Sequence, residues 1–255
     1  ELVDNTNYVE NKSLLIDRYY SPQLFERREK LMPFTWNYIY KNGKLFGDSL
    51  NNSKFSLTNN MIFSYPGYNE ILTGNADPTI KSNAKIYNKN VTVLEKLNQT
   101  NNYKNKIAAF ASWDVFPYII NDKRSGIPVN AGYMEELNIK TPVVDYINKN
   151  QKRTPVIWEN VRLDVYTHNL ALEYIKKKKP KLVYIAYGET DDFAHGEKYD
   201  FYINSLNYTD NMIAELWGYV QSNKFYKDNT YFIITTDHGR GLMEDWAGHG
   251  SSKAS

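Results

Sequence analysis

Apolar positions fall into a helical rhythm most clearly in the last third of the chain. Between positions 199 and 221, Ile203, Leu206, Ile213, Leu216 and Val220 recur at helical spacing, which puts them on one stripe of an α-helix and predicts that the stripe is buried. A second helix is predicted over residues 162–178. Its closing lysines, Lys176 to Lys179 just before Pro180, complement the helix dipole and stay solvated. Two short apolar runs at 182–187 and 231–235 bracket the 199–221 helix and read as strands. Strand, crossover helix and strand make a βαβ unit, so the two strands are expected to be parallel and buried on both faces.

Upstream, the segment KIAAFASW at 106–113 predicts a buried strand running into a loop, and Val91, Val93, Leu94 and Leu97 predict a helix ahead of it. Met61, Ile62 and Phe63 form a short apolar strand tip. Ser64-Tyr65-Pro66 follows, then a helix-like stretch over 67–73 with Gly74 as its stop, so this region reads as strand, sharp turn and helix. Residues 1 to about 60 show little periodicity beyond a short helix at 22–32 and are expected to form a peripheral wrap. Gly126, Pro128, Gly132, Pro142 and Pro155 interrupt residues 118–160; a lid over a site is slightly preferred there to a long surface excursion. No internal repeat is visible. The expected class is α/β, a single doubly wound domain over 1–255 with a mainly parallel sheet and helices on both faces. Ligands in such sheets gather beyond the carboxyl ends of the strands.

Composition narrows the function classes. With 42% hydrophobic and 24% charged residues, and no apolar run near the roughly 18 residues that cross a bilayer, the chain reads as soluble and carries no transmembrane segment. A net charge of +2 gives no nucleic-acid-binding signal, since such domains carry basic stripes. The absence of cysteine excludes disulfides and thiolate metal sites, so any metal is held by nitrogen and oxygen.

Three of the four histidines, His195, His238 and His249, fall late in the chain beside acidic residues or glycine. His195 ends the segment GETDDFAH after the 182–187 run, and Asp237-His238 follows the 231–235 run in TTDHGRG. Both clusters are expected at the carboxyl ends of adjacent parallel strands. Asp191 and His195, four apart, share a face if the local turn is helical and then offer one oxygen and one nitrogen to a cation. A lone histidine is more often an ordinary turn or surface residue. Three histidines and two aspartates converging on one sheet edge favour a metal instead. Ser64 sits on the strand-to-helix turn, where freed backbone N–H groups favour an anion; an N-capping role for Ser64 or Tyr65 explains the motif equally well.

Taken together, SYPGYNEILTG, GETDDFAHG, TTDHGRG and WAGHG resemble the alkaline phosphatase superfamily, especially its phosphodiesterase and nucleotide pyrophosphatase branch and phosphoglyceromutase-like relatives. The resemblance spans residues 61–250, with the four motifs in the family's order. It implies a metal-dependent hydrolase of phosphate mono- or diesters in which Ser64 is the nucleophile and forms a phosphoserine intermediate. It further implies two divalent ions, zinc as first choice and manganese as the alternative. One would be held by Asp191, His195 and His249, and the other by Asp237, His238 and the Ser64 oxygen. A further aspartate ligand is expected on a first strand ahead of ELVDN, and more strands after the last histidine, so the chain is expected to be trimmed at both ends. Gly248 and Gly250 are expected to let the backbone bend around His249. Asn83 matches an asparagine that steadies a phosphate oxygen, and Arg240 is expected to contact substrate or clamp the turn.

The sulfatase branch makes formylglycine from a Cys/Ser-x-Pro-x-Arg motif, whereas position 68 here is Tyr68, so a sulfatase is not expected. The expected partner is a phosphorylated small molecule or polymer, and the family favours a periplasmic or secreted location. A phosphomutase using the same ligands is one alternative. A non-catalytic envelope or glycan-binding protein is another, and the 22 tyrosines suit its sugar contacts.

Overall fold

The structure is a computed structural model and describes residues 4, 5 and 7–249, apart from the side chains of Ser49 and Glu244. In chain order the main elements are α1 (Lys12–Tyr19), α2 (Leu24–Leu31), a π-helix (Thr35–Ile39), α3 (Tyr40–Asn42), α4 (Ser64–Thr73), α5 (Val93–Asn98), β1 (Ile107–Ala111), α6 (Phe116–Ile120), α7 (Asp122–Ser125), β2 (Val129–Ala131), α8 (Pro142–Asn150), α9 (Asp164–Lys178), β3 (Leu182–Ala186), α10 (Glu189–His195) and α11 (Tyr199–Ser222). The chain divides into two compact units, one formed by Thr58–Glu189 and the other by Glu1–Leu57 with Thr190–Ser255.

The 58–189 unit is built on a parallel sheet of order β2-β1-β3. Central β1 is apolar at every position, and none of its residues is more than 1% exposed, because a central parallel strand meets a layer on each face. Ile107, Ala109 and Ala111 pack with Tyr65 and Leu72 of α4, Leu94 of α5, and Phe116, Ile119 and Ile120 of α6. Ala108 and Phe110 point the other way, into Val144 and Ile147 of α8 and Leu170, Ala171 and Tyr174 of α9. The alternation follows from the two-residue period of a strand, and the expected α/β class, with helices on both faces of a parallel sheet, is what the structure has. Within residues 118–160, β2 forms one sheet edge and α8 joins the layer shared with α9.

Two expected strands are absent. Residues 231–235 form no strand among the described residues: Tyr231 is 94% and Ile233 92% exposed. A strand is defined by its ladder, and apolar composition without a neighbour does not make one. β3 accordingly ends the sheet, and four of its five residues are only half-buried. Residues 61–63 are not a strand tip either. Ile62 instead adopts φ +55°, a left-handed conformation that is costly for a β-branched residue.

That strained turn is held from α4. The Glu70 carboxylate accepts hydrogen bonds from the N–H and hydroxyl of Thr58, both at 2.8 Å, and from the N–H and Nδ2 of Asn59 at 3.0 and 2.8 Å. Asn59 Oδ1 in turn accepts the N–H groups of Met61 and Ile62 at 3.0 and 3.1 Å. α4 starts at Ser64 with Phe63 as its N-cap, which makes no side-chain capping bond, and stops where Gly74 takes φ +75°.

Arg162 is 0% exposed and closes the carboxyl end of the sheet. Its guanidinium donates to Asn130 Oδ1 at 2.7 Å, to Thr167 Oγ1 at 2.8 Å and to the carbonyl of Ala111 at 3.3 Å. Burial pushes it down to about 9 against the charges of Asp164 and Glu136, so it remains a cation at neutral pH.

In the other unit, where periodicity predicted one helix at 22–32, α1 and the π-helix accompany α2. Long-range polar ties explain why. Asp210 of α11, fully buried, accepts the N–H groups of Phe34 and Thr35 and the Thr35 hydroxyl at 2.6–2.8 Å, which caps the π-helix start. Arg18 and Tyr19 donate to Asn204, and Glu10 N–H donates to Asp200.

Removing the Glu70 carboxylate releases four donors at once, so Glu70→Ala should cost about 2 kcal/mol in a thermal or urea melt. Burial works against Glu70 ionisation, but the Asn59 amide and the Thr58 donors outweigh it and hold the carboxyl below its ordinary 4.5. A depressed acid stabilises fully above its unfolded pKa and loses that contribution as pH falls through the folded one. The two melts should therefore converge in acid; a difference that persists unchanged there would contradict the carboxylate's role.

Candidate metal centre

α10 begins three residues beyond the carboxyl end of β3, and its helical turn brings Asp191 and His195 together: His195 Nε2 is 3.3 Å from Asp191 Oδ2. The second group of donors comes from residues 237–249, folded into a tight turn. Gly241 N–H donates to the carbonyl of Gly248 at 2.9 Å, and a Cβ on Gly241 would lie 1.9 Å from the Asp245 carbonyl oxygen, so only glycine fits there. Trp246, 2% exposed, anchors the turn among Tyr8, Tyr199 and Tyr202 with ring centroids at 5.5, 5.3 and 5.9 Å.

The four side chains meet. His249 Nε2 lies 2.8 Å from His195 Nε2 and 3.4 Å from Asp191 Oδ1; His238 Nε2 lies 3.8 Å from the same Oδ1 and 3.4 Å from Asp237 Oδ2. The His238 and His249 rings overlap at 3.9 Å between centroids. Ligand atoms of Asp191, His238 and His249 all fall within 4.8 Å of one another. A tetrahedral ion with nitrogen and oxygen bonds near 2.0–2.1 Å spaces its ligands roughly 3.3 Å apart, and the separations scatter around that edge. His238 Nδ1 is 2.9 Å from the Gly239 carbonyl, to which it donates. That leaves Nε2 as the lone-pair nitrogen on the cluster side, the backbone-set tautomer common among metal-binding histidines. The donors are of the kind and spacing that suit divalent-metal binding.

The electrostatics describe two crowded carboxylates set among histidines and one arginine. Burial opposes ionisation of Asp191, but the His195 and His249 bonds and the Arg240 charge hold its carboxyl well below the carboxylate range. Burial and the neighbouring Asp191 charge push Asp237 up to about 7, as expected for two carboxylates crowded together. The Asp191 bond raises His195, whereas burial pushes His238 down to about 4. Arg240 pairs with Asp191 and donates to the carbonyls of Ala247 and Gly248 at 3.1 and 3.3 Å, so it clamps the turn.

Ser64 and Asn83 belong to the 58–189 unit and are neighbours: Asn83 Oδ1 accepts the N–H of Tyr65 at 2.9 Å. Ser64 is 9% exposed and occupies the first turn of α4 rather than its cap. The expected run of freed amides is shorter than the sequence suggested, since Pro66 has none and Tyr65's goes to Asn83. Gly250, expected to help bend the chain around His249, lies outside the described residues. Sequence reasoning missed the Trp246 anchor and the Asn83–Tyr65 bond; the WAGHG motif held the signal for the first.

No helix among the described residues is long and apolar enough to cross a membrane. No curated protein and no solved structure matches the chain. A Sulfatase family profile matches residues 62–255, which covers every donor in the cluster as well as Ser64. The match extends over more than half of the 255 residues, and the family comprises metal-dependent enzymes that hydrolyse esters. The chain therefore belongs to the Sulfatase family, within the alkaline phosphatase superfamily.

Proposed function

We propose that the protein is a metal-dependent phosphoester hydrolase with Ser64 as nucleophile. The observation that carries the reading is the convergence of Asp191, His195, His238 and His249 at ion-binding distances. Asp191, His195 and His249 would hold one divalent ion, and Asp237 and His238, with the Ser64 oxygen, a second. Zinc suits this mixture of imidazole and carboxylate, and manganese is the alternative. When bound, such a pair supplies the positive charge that favours the serine alkoxide and the developing charge on the leaving oxygen.

The chain's own groups supply the rest. The turn at Ile62, braced by Asn59 and Glu70, fixes Ser64 at the start of α4, where the helix dipole favours negative charge. With its Oδ1 taken by Tyr65, Asn83 turns its Nδ2 donors to a substrate oxygen. Attack forms the Ser64 Oγ–P bond as the P–O bond to the alcohol breaks, the alcohol taking up the proton that Ser64 gives up. Water then attacks the phosphorus, the Oγ–P bond breaks, Ser64 regains its hydroxyl, and phosphate, or a monoester from a diester, is released.

Phosphorus is preferred to sulfur because Tyr68 stands where the formylglycine motif of the sulfatase branch needs arginine. Its ring packs edge-on against Phe116 at 4.6 Å, which leaves an apolar contact in that position. A periplasmic or secreted setting, where zinc or manganese and phosphorylated polymers meet the enzyme, is part of the proposal.

With zinc or manganese added, the protein should hydrolyse p-nitrophenyl phosphate or its diester, and Ser64→Ala should lower turnover by about a thousandfold or more while most of the ion affinity holds. A Ser64→Ala enzyme that works at the wild-type rate would rule out the covalent route. p-Nitrophenyl sulfate should be a poor substrate; preferential turnover of it would reverse the choice of ester. His249→Ala should weaken zinc binding about 100-fold or more in a calorimetric titration, since one of three ligands to its ion is lost, and equal affinity would remove His249 from the set.

A further inference from the structure

The junction between β3 and α10, residues 187–189, is gripped from one face of α9. Asp164, 1% exposed, accepts the N–H of Gly188 on Oδ1 at 2.8 Å and the N–H of Glu189 on Oδ2 at 3.0 Å. The contact is reciprocal, because Glu189 Oε1 accepts the N–H of Asp164 at 2.8 Å. One turn further along α9, His168, also 1% exposed, places Nδ1 2.9 Å from the hydroxyl of Tyr187. Residues 164 and 168 lie four apart and so share a face. Three consecutive junction residues are thus held by two side chains of a single helix, and the first amide of each helix is satisfied by the other's carboxylate. Asp164 is itself fixed by the Ser112 hydroxyl at the end of β1.

Nothing in the reaction uses Asp164, His168 or Glu189, yet Glu189 is the first residue of α10 and Asp191 lies two residues on. We infer that Asp164 is a positioning residue for the metal centre: with Glu189 and His168 it holds the 187–189 junction and with it the first turn of α10, on which the i, i+4 geometry of Asp191 and His195 depends. The inference rests on the proposed ligand role of those two residues. Carboxylate bonds to backbone N–H groups are charge-assisted, and buried in the interior they hold direction better than exposed ones. A charged carboxylate at the amino end of α10 also complements its dipole.

The test uses the whole chain with Asp164→Asn, Glu189→Ala and Glu189→Gln, and Thr167→Val as a buried control. Thr167→Val removes the hydroxyl that bonds Ser112 and Arg162 and leaves the junction bonds in place. Two quantities are read: zinc affinity by competition with a chelating dye, and hydrogen exchange of amides 188–195 in metal-free protein. Asp164→Asn and Glu189→Ala should weaken zinc binding about 10- to 100-fold, the range for groups that orient ligands, and speed exchange across 188–195. Glu189→Gln keeps an acceptor oxygen and should retain affinity. Thr167→Val should lower the melting temperature without moving either quantity.

Unchanged exchange and affinity in folded Asp164→Asn and Glu189→Ala would overturn the inference. So would an equal loss of affinity in Thr167→Val, which would mark the effect as general loosening. If Asp164→Asn does not fold, Glu189→Ala decides alone. If the wild-type chain binds no zinc, the ligand assignment falls, while the exchange data still decide whether the brace holds α10.

Discussion

The pairing of β1 with β3 is the constraint on which the 58–189 unit depends. Its register, Ala111 against Ala186, brings both carboxyl ends level, so that Ser112 and the 187–189 junction emerge side by side. A parallel pair buried on its central strand leaves its next residues no choice but to find partners beyond the sheet. α9 supplies them. Its first turn carries Asp164 between Ser112 and Gly188, and Arg162 just ahead of it caps the carbonyl of Ala111. Buried charge is costly unless it is fully hydrogen-bonded, and this polar layer is bonded through Asn130, Thr167, Ser112 and the junction amides.

The nucleophile side obeys a similar logic with different parts. A β-branched residue in the left-handed region is tolerated only where its surroundings over-determine it. The chain from Glu70 through Asn59 to the amides of Met61 and Ile62 is such a surrounding, and it originates on the helix whose start it shapes. Strain and brace are therefore encoded within thirteen residues, 58–70, and α4 carries both the hydroxyl and its support.

How much of this was legible in the sequence depended on whether the determining partner was local. The helices at 164–178 and 199–222 and the strands at 107–111 and 182–186 lie close to where periodicity put them, because their apolar patterns are long or continuous. The i, i+4 relation of Asp191 and His195 was readable only on condition of a helical turn, which α10 supplies and no apolar pattern had signalled. Residues 231–235 have a strand's composition, but a ladder needs a neighbour that composition does not supply. α1 and the π-helix were invisible because their ties run to Asn204, Asp200 and Asp210, some 175 residues or more away. Arg162 contradicts the rule that charges lie outside, and only its partners explain it. Nothing in the sequence singled out Asp164; its bond to Gly188 spans 24 residues.

The division of the chain also sets an order of assembly during synthesis. Residues 58–189 are contiguous, so that unit has all its segments as soon as the ribosome has released Glu189. The other unit is split: residues 1–57 precede the contiguous unit, yet their ties to α11 require residues made more than 140 positions later. Domains tend to fold as units in the order they are completed, so here residues 1–57 settle only after the 58–189 unit that is made later. Until α11 is made, the aromatic and apolar side chains of α1, α2 and the π-helix wait without their partners. The histidine cluster, with donors from Asp191 to His249, belongs to this later-completed unit and forms only after the contiguous one has all its segments.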